Sequence, residues 1–343
     1  MIPPEVQRFE SHGGARVYRL PLEEFPGFWG YAHLLLADGL CALVDCGSGL
    51  DSSNEGLEHG LEIVRRVHGE QAGWDRLTHV LISHGHIDHF GGLTFVRTRT
   101  RAPIGVHELD RRVLTRYEER VRLVTHRLAA FLIEAGVAPE EQARVLELYR
   151  VHKALSRSVP VDLTYEAQGM HIGPVQMTHV PGHCPGQVVM QVDDLLLAGD
   201  HILSDISPHQ APESLSDNTG LGHYLESLQR LKPLASGVTW TLGGHQSPVR
   251  DLAARIATIE DLHRQRLSAV LDILREPRTI AEVSAILFPD VRGYNVLLAL
   301  EETGAHVEYL AQRALIGLAN AEVIGGGEPV PLRYVSGECA APS

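Results

Sequence analysis

Residues 78–92 read THVLISHGHIDHFGG. The first part, THVLISH, is a short apolar run that predicts a buried strand. It leads directly into the motif H-x-H-x-D-H, formed by His84, His86, Asp88 and His89. A turn at the strand end can direct the first two histidines to one cation and the other two residues to a second. Neutral imidazoles with a carboxylate suit zinc or iron, so the stretch predicts a metal site.

Three further residues with metal-binding side chains also follow predicted strands. His183 lies in VPGHCPG, Asp200 closes LLLAGD, and His245 closes TLGGH. Glycine or another small residue precedes each of them, which lets the backbone approach closely. Taken singly, such residues are more often strand-end caps or loop histidines. Together with the first motif they predict a seven-residue, two-metal site.

In this order the motifs resemble those of the metallo-β-lactamase superfamily, over about residues 16–250. The resemblance implies two ligand sets, namely His84, His86 and His183 for one ion, and Asp88, His89 and His245 for the other. It also implies that Asp200 bridges the ions and that Asp45, in LVDCG, supports the ligands from behind. The ligand set is similar to that of glyoxalase II. The implied cofactor is a pair of divalent metal ions, with zinc expected first and iron or manganese as alternatives.

Two such cations, about 3.5–4 Å apart, share a water and clamp the attacked carbonyl or phosphoryl oxygen. The hypothesis is therefore a metal-dependent hydrolase with a bridging hydroxide as nucleophile. Asp88 is the candidate catalytic residue, because its carboxylate at the attacking water can receive and deliver the proton. His201 and Tyr224 are weaker candidates for substrate contact, and for Tyr224 simple packing is the competing interpretation.

Strand-rich stretches punctuated by single helices occur twice, which predicts two packed sheets with helices outside. This is the α/β class, and the resemblance implies the αββα sandwich. Residues 1–250 are predicted to form the hydrolase domain, with a helical insertion at about 108–158. The insertion carries Phe131 and Leu132 among apolar residues at helical spacing, which indicates an apolar lid.

Residues 251–343 are predicted to form a small winged-helix-like C-terminal domain. A long helix leads to Thr279 and Glu282, which form a candidate capping box. The remaining predicted elements are helices near 280–287, 294–303 and 305–319 and a hairpin of AEVIGG with EPVPLRYV. The module resembles the C-terminal domain of a hydrolase subgroup that includes the mammalian β-lactamase-like endoribonuclease and fungal polyketide-releasing thioesterases. We expect it to wall the active site or to mediate homodimer contacts.

Composition limits the partners. The formal charge of −13 disfavours nucleic-acid binding, which depends on clustered lysine and arginine. The four cysteines show no C-x-x-C spacing and predict neither a disulfide framework nor a thiolate zinc site. The sequence shows no signal peptide and no apolar run long enough for a membrane span, so the expectation is a cytoplasmic protein without membrane contact.

The substrate class is the least determined part of the prediction. True β-lactamases lack a bridging aspartate at the position of Asp200, and the basic glutathione-binding signature of glyoxalase II is not evident. An apolar lid over two metals favours a small-molecule acyl thioester, ester or lactone. The alternatives are a phosphodiesterase or endoribonuclease and, from another class, a non-catalytic metal-bound ligand sensor.

Overall fold

The computed structural model describes residues 4–154, 156–325 and 327–337. By internal contacts the chain divides into two compact units, each assembled from separate stretches. The first unit comprises the chain up to Arg120, Ala154–Pro208 and Ser227–Ile256. The second comprises Val121–Lys153, His209–Glu226 and the chain from Ala257 onward. The second unit thus contains most of the predicted helical insertion together with the predicted C-terminal domain.

Seven strands of the first unit form one sheet, in which they lie side by side in chain order. They are β1 (Gln7–Glu10), β2 (Arg16–Phe25), β3 (Phe28–Ala37), β4 (Leu40–Val44), β5 (His79–Leu81), β6 (Ile104–Val106) and β7 (Leu163–Thr164). Neighbours are antiparallel from β1 to β4 and parallel from β4 to β7. The tight turn between β2 and β3 contains Gly27, whose φ of 77° is a conformation that glycine adopts without strain.

Five strands form the second sheet in the order β12, β11, β10, β9, β8. Their bounds are β8 (His171–Ile172), β9 (Val175–His179), β10 (Val188–Val192), β11 (Leu195–Gly199) and β12 (Trp240–Gly243). The pair β11–β12 is parallel and the other pairs are antiparallel. In β9, β10 and β11 most of the buried positions are Val, Leu or Met, as expected of strands buried on a sheet face.

The two sheets pack face to face through one apolar core. Leu35 of β3 and Val44 of β4 are fully or almost fully buried there with Met190 of β10 and Leu197 of β11. Helix α1 (Asp51–Arg66) packs against β2, where an added Cβ at Gly60 would lie 3.1 Å from Leu20. The predicted αββα sandwich is confirmed.

The helices lie between the strands at several points along the chain. Helices α2 (Ile87–Phe90) and α3 (Leu93–Arg99) precede β6 in the chain, and α4 (Glu108–Thr115) follows it. The remaining helices are α5 (Tyr117–Glu134), α6 (Pro139–Lys153), α7 (Leu221–Leu231), α8 (Leu252–Ile273), α9 (Ile280–Leu287) and α10 (Asn295–Gln312). Among the described residues, no helix combines the length and apolar character needed to cross a membrane.

The second unit has its own apolar core. Phe131 and Leu132 of α5 are buried in it together with Val270 of α8 and Leu300 of α10. The side chains that suggested an apolar lid are therefore used for packing within this unit. Helix α9 begins with the predicted capping box, since Thr279 and Glu282 exchange both hydrogen bonds.

Two predictions for the end of the chain are wrong. The helices expected at 294–303 and 305–319 are one helix, α10. The expected hairpin does not use AEVIGG, because Ala321–Val323 form a 3-10 turn; residue 326 lies outside the described residues. Instead, β13 (Ile316–Leu318) pairs antiparallel with β14 (Tyr334–Ser336).

Candidate metal centre

All seven predicted ligands lie in the first unit, beyond the C-terminal ends of strands. His84, His86, Asp88 and His89 follow β5, and His183 follows β9. Asp200 directly follows β11, and His245 follows β12. Strands β4, β5 and β6 are parallel to one another, as are β11 and β12, so their carboxyl ends gather side chains from distant parts of the sequence at one edge.

The first group consists of His84, His86 and His183, whose candidate ligand atoms lie within 4.8 Å of one another. Nε2 of His84 is 3.1 Å from Nδ1 of His86. The ring centroid of His183 is 5.2 Å from that of His84 and 4.5 Å from that of His86. Three imidazoles therefore converge on one point.

The second group consists of Asp88, His89, Asp200 and His245, again with ligand atoms within 4.8 Å of one another. Nε2 of His245 is 3.3 Å from Oδ2 of Asp88 and 3.5 Å from Oδ2 of Asp200. Nε2 of His89 is 3.3 Å from Oδ1 of Asp200. Asp200 also reaches the first group, because its Oδ2 is 3.8 Å from Nε2 of His183. One carboxylate thus lies between the two sets of ligands.

These spacings fit metal coordination. Two nitrogen or oxygen ligands about 2.1 Å from a tetrahedral zinc ion are separated by about 3.4 Å. Nε2 of His89 and Oδ1 of Asp200 are buried and lack a hydrogen bond of good geometry among the described residues, although they face each other. Buried polar atoms normally have partners, so atoms held in this way favour a cation between them. Histidines with carboxylates are the ligand chemistry of zinc, iron and manganese.

Asp45 orients the second group from behind. Its carboxylate accepts hydrogen bonds from Nδ1 of His89 at 2.8 Å and from both the amide and hydroxyl of Ser83, each at 2.7 Å. Asp45 has a φ of 61°, a left-handed conformation that a residue other than glycine, asparagine or aspartate rarely adopts. Its hydrogen bond to Nδ1 leaves Nε2 of His89 as the ligand atom.

The first unit also holds other carboxylates near the ligands. Burial and the charge of Asp88 raise the pKa of Glu24 to about 7. Glu24 accepts a hydrogen bond from the amide of Ser48 at 2.6 Å, and an added Cβ at Gly30 would lie 2.8 Å from its side chain and 3.1 Å from His245. Nδ1 of His245 is 3.0 Å from the carbonyl oxygen of Trp29, which fixes its tautomer.

The electrostatics of the second group are dominated by its own pairs. Burial raises the pKa of Asp88, but the hydrogen bond from His245 and the charge of His89 outweigh burial and hold it below its usual range. Burial lowers the pKa of His245, whereas Asp200 and Asp88 raise it to about 10. The carboxylates of this group therefore favour positive charge at its imidazoles, and a divalent cation bound there would supply that charge in place of protons.

The two candidates for substrate contact are both fully buried. His201 follows Asp200, and burial with the charge of His183 lowers its pKa to about 3. Tyr224 of α7 lies in the second unit with its ring edge-on to that of His263, at 5.6 Å between centroids. Cys184, beside His183, is also buried, and burial raises the pKa of its thiol.

Sequence reasoning missed Ser83, Glu24 and Asp110. Asp110 is a fully buried carboxylate in the first turn of α4, and it accepts hydrogen bonds from Gly85 and Gly186. None of the three lies in a recognisable motif. An aspartate in the first turn of a helix is ordinarily a cap, so its local sequence carries no signal for this role.

A further group of possible ligands, His263, Glu302 and His306, is buried in the second unit. Its carboxylate already accepts hydrogen bonds from Arg266 and from the amide of Gln210, both at 2.8 Å. Nδ1 of His263 is 3.2 Å from Nε2 of His306. These bonds, with the positive charge of Arg266, make the group a hydrogen-bonded network that disfavours a further cation.

Comparison with known proteins agrees with this geometry. Residues 28–247 match the family described as the metallo-β-lactamase superfamily. No curated protein sequence matches the chain. Among solved structures, a metallo-β-lactamase family protein from Thermus thermophilus is 26% identical, with a TM-score of 0.72 over 94% of this chain and 98% of that one. A β-lactamase domain protein from Burkholderia ambifaria has the same fold, with 22% identity and a TM-score of 0.74 over 98% of this chain and 96% of that one.

The family match covers most of the chain and includes every residue of both ligand groups. The chain therefore belongs to the metallo-β-lactamase superfamily, a superfamily of metal-dependent hydrolases.

Proposed function

We propose that the protein is a dinuclear metal-dependent hydrolase of a small acyl thioester, ester or lactone. The observation that carries the proposal is the pair of adjacent ligand groups with Asp200 between them. Bound divalent cations, zinc in the first instance, would polarise the attacked carbonyl and lower the pKa of water toward neutrality. The groups of this chain would hold the ions and move the proton.

Asp88 is proposed as the residue that moves the proton. Its carboxylate belongs to the second ligand group, where it can accept a proton at an oxygen and pass it to the leaving group. Oδ2 of Asp88 lies 3.3 Å from Nε2 of His245, which orients the carboxylate. His89 is fixed by Asp45 in turn, so the chain presents ligands that are already oriented.

The preference for an acyl substrate is supported by the surroundings of the second group. Phe28, the first residue of β3, is 46% exposed, and its ring centroid is 4.8 Å from that of His245. An exposed aromatic ring beside a ligand offers an apolar acyl group a surface to contact. The formal charge of −13 disfavours a polyanionic substrate such as RNA.

The test is a hydrolysis screen of protein loaded with zinc or manganese, using acyl-CoA and acyl-glutathione thioesters, aryl esters, lactones and a labelled single-stranded RNA. Asp88→Asn and chelator-treated protein are run beside it, with Asp194→Asn as the matched control. Asp194 is a suitable control because it lies at the opposite end of β11 from Asp200 and does not belong to either ligand group. We expect acyl turnover that requires metal and falls at least 100-fold in Asp88→Asn alone. Cleavage of RNA without acyl turnover would replace the proposal by a phosphodiesterase. Two bound ions without any turnover would favour a ligand sensor.

A further inference from the structure

Asp110 connects the two loops that carry the first ligand group. Its Oδ2 accepts a hydrogen bond from the amide of Gly85 at 2.7 Å, and its Oδ1 accepts one from the amide of Gly186 at 2.9 Å. Gly85 lies between His84 and His86, and Gly186 lies three residues after His183. One carboxylate is thus bonded to both sides of the group.

The groups around Asp110 are all hydrogen-bond donors to its carboxylate. The residue is fully buried, and the thiol of Cys184 also points at it, with Sγ 3.4 Å from Oδ2. Two backbone amides and a thiol all donate, so the carboxylate serves only as an acceptor. A buried carboxylate is costly to desolvate, and this one is held by hydrogen bonds within the two ligand loops.

The glycines at both contacts fit the carboxylate closely. A Cβ added at Gly186 would lie 2.5 Å from the carboxyl carbon of Asp110, and one added at Gly85 would lie 3.2 Å from the same atom. The first distance is shorter than any real Cβ contact, so a side chain at Gly186 would displace either the loop or Asp110. The approach of each loop to the carboxylate therefore depends on the missing side chain.

We propose that Asp110 is a positioning residue that sets the affinity and geometry of the first metal site by fixing the His183 loop against the His84–His86 turn. The role rests on the proposed dinuclear function, but it concerns metal binding and can be measured without turnover. Partners behind the direct ligands typically change metal affinity by about 10–100-fold when they are replaced.

The main test uses Asp110→Asn, which has the same shape but turns one acceptor oxygen into an NH₂ group that faces a backbone N–H. Metal-depleted protein is titrated with cobalt(II), and binding and the visible absorption of the bound ion are recorded. We expect one of the two ions to bind about 10–100-fold more weakly, with an altered spectrum, while the other ion is unaffected. The control is Asp194→Asn, which changes a carboxylate that accepts a hydrogen bond from the backbone amide of His12. This variant should bind both ions as wild type does.

Two further variants identify the affected ion and the mechanism. In a His245→Ala protein only the first group keeps all its ligands, and Asp110→Asn should weaken cobalt(II) binding there by the same factor. Gly186→Ala should reproduce the defect with Asp110 intact. Wild-type affinity for both ions in Asp110→Asn would overturn the proposal. Equal weakening of both ions, or loss of cooperative thermal unfolding, would also overturn it, because the residue would then support the whole unit. If the variants weaken cobalt(II) binding as expected but the wild-type protein shows no acyl turnover, only the proposed function is contradicted.

Discussion

Replacing Asp45 with asparagine isolates the hydrogen bond that orients His89. Asparagine keeps the shape of the side chain and tolerates the left-handed backbone of this position, where φ is 61°. If its amide oxygen remains on the backbone N–H of Ser83, its NH₂ group faces Nδ1 of His89 and the hydroxyl of Ser83. The hydroxyl can rotate to accept. The histidine cannot, because binding a metal through Nε2 requires the proton on Nδ1.

The expected loss of metal affinity follows from the hydrogen bond between Asp45 and His89. A hydrogen bond to a charged group is worth about 1.5–3 kcal/mol. Since about 1.4 kcal/mol corresponds to a tenfold change in a binding constant, the loss is about 10–100-fold in affinity. The effect should fall on the ion held by His89 and should leave the ion of the first group at wild-type affinity.

The measurement is a calorimetric cobalt(II) titration of metal-depleted Asp45→Asn, with Asp38→Asn as the matched control. Asp38 also has a positive φ, of 43°, but lies in the turn between β3 and β4. Wild-type affinity for both ions would show that His89 does not need the carboxylate. Equal weakening of both ions would show that Asp45 acts on the fold of the unit and not through His89.

Three shorter predictions concern other parts of the chain. Phe28→Ala should raise KM about fivefold for long or aromatic acyl groups and little for acetyl, because about 1 kcal/mol of apolar contact is lost from a half-exposed ring. The control is Val67→Ala, which changes an exposed apolar residue at the end of α1, and equal effects of Phe28→Ala on all substrates would contradict the contact. Burial lowers the pKa of His263 to about 3, below its unfolded value of about 6.5, so its contribution to stability is present above pH 6.5 and is lost as the pH falls from there toward 3. The free energy of urea unfolding should therefore fall less steeply for His263→Gln than for wild type as the pH is lowered from 7 to 5, by up to about 1.4 kcal/mol per pH unit. Parallel plots of this free energy against pH for the two proteins would refute the assignment. Thr279→Ala should lower the free energy of unfolding by about 1 kcal/mol through loss of the helix cap, whereas Thr279→Ser should not; equal losses would assign the effect to the Thr279 methyl group instead.

The sandwich and the clustering of the candidate ligands were predictable because their signals are local. An apolar run that ends in H-x-H-x-D-H contains both the buried strand and the turn that follows it. His183, Asp200 and His245 each follow a strand within a few residues, so their order along the chain could be read directly. Asp45, likewise, directly follows the apolar strand β4.

Features that depend on contacts between distant residues could not be predicted. The two helices predicted near 294–303 and 305–319 were separated at Gly304, yet α10 runs through this residue without interruption. The structure shows why glycine is there: an added Cβ would lie 2.8 Å from Pro212 and 3.0 Å from Phe131. The glycine marks a close approach between elements and not a helix end. Asp110 was missed for the same reason, because its partners at Gly85 and Gly186 are remote in sequence.

The composition of the second unit constrains how the chain can be shortened. The unit combines Val121–Lys153, His209–Glu226 and the chain from Ala257 onward, so the polypeptide passes between the units five times. Phe131 and Leu132 are buried against residues that belong to the last of these stretches. Truncation before Ala257 would leave both side chains exposed to water on a helix that remains in the chain. The unit that contains the candidate metal centre therefore cannot be isolated by C-terminal truncation alone, because the two internal stretches of the second unit would have to be excised as well.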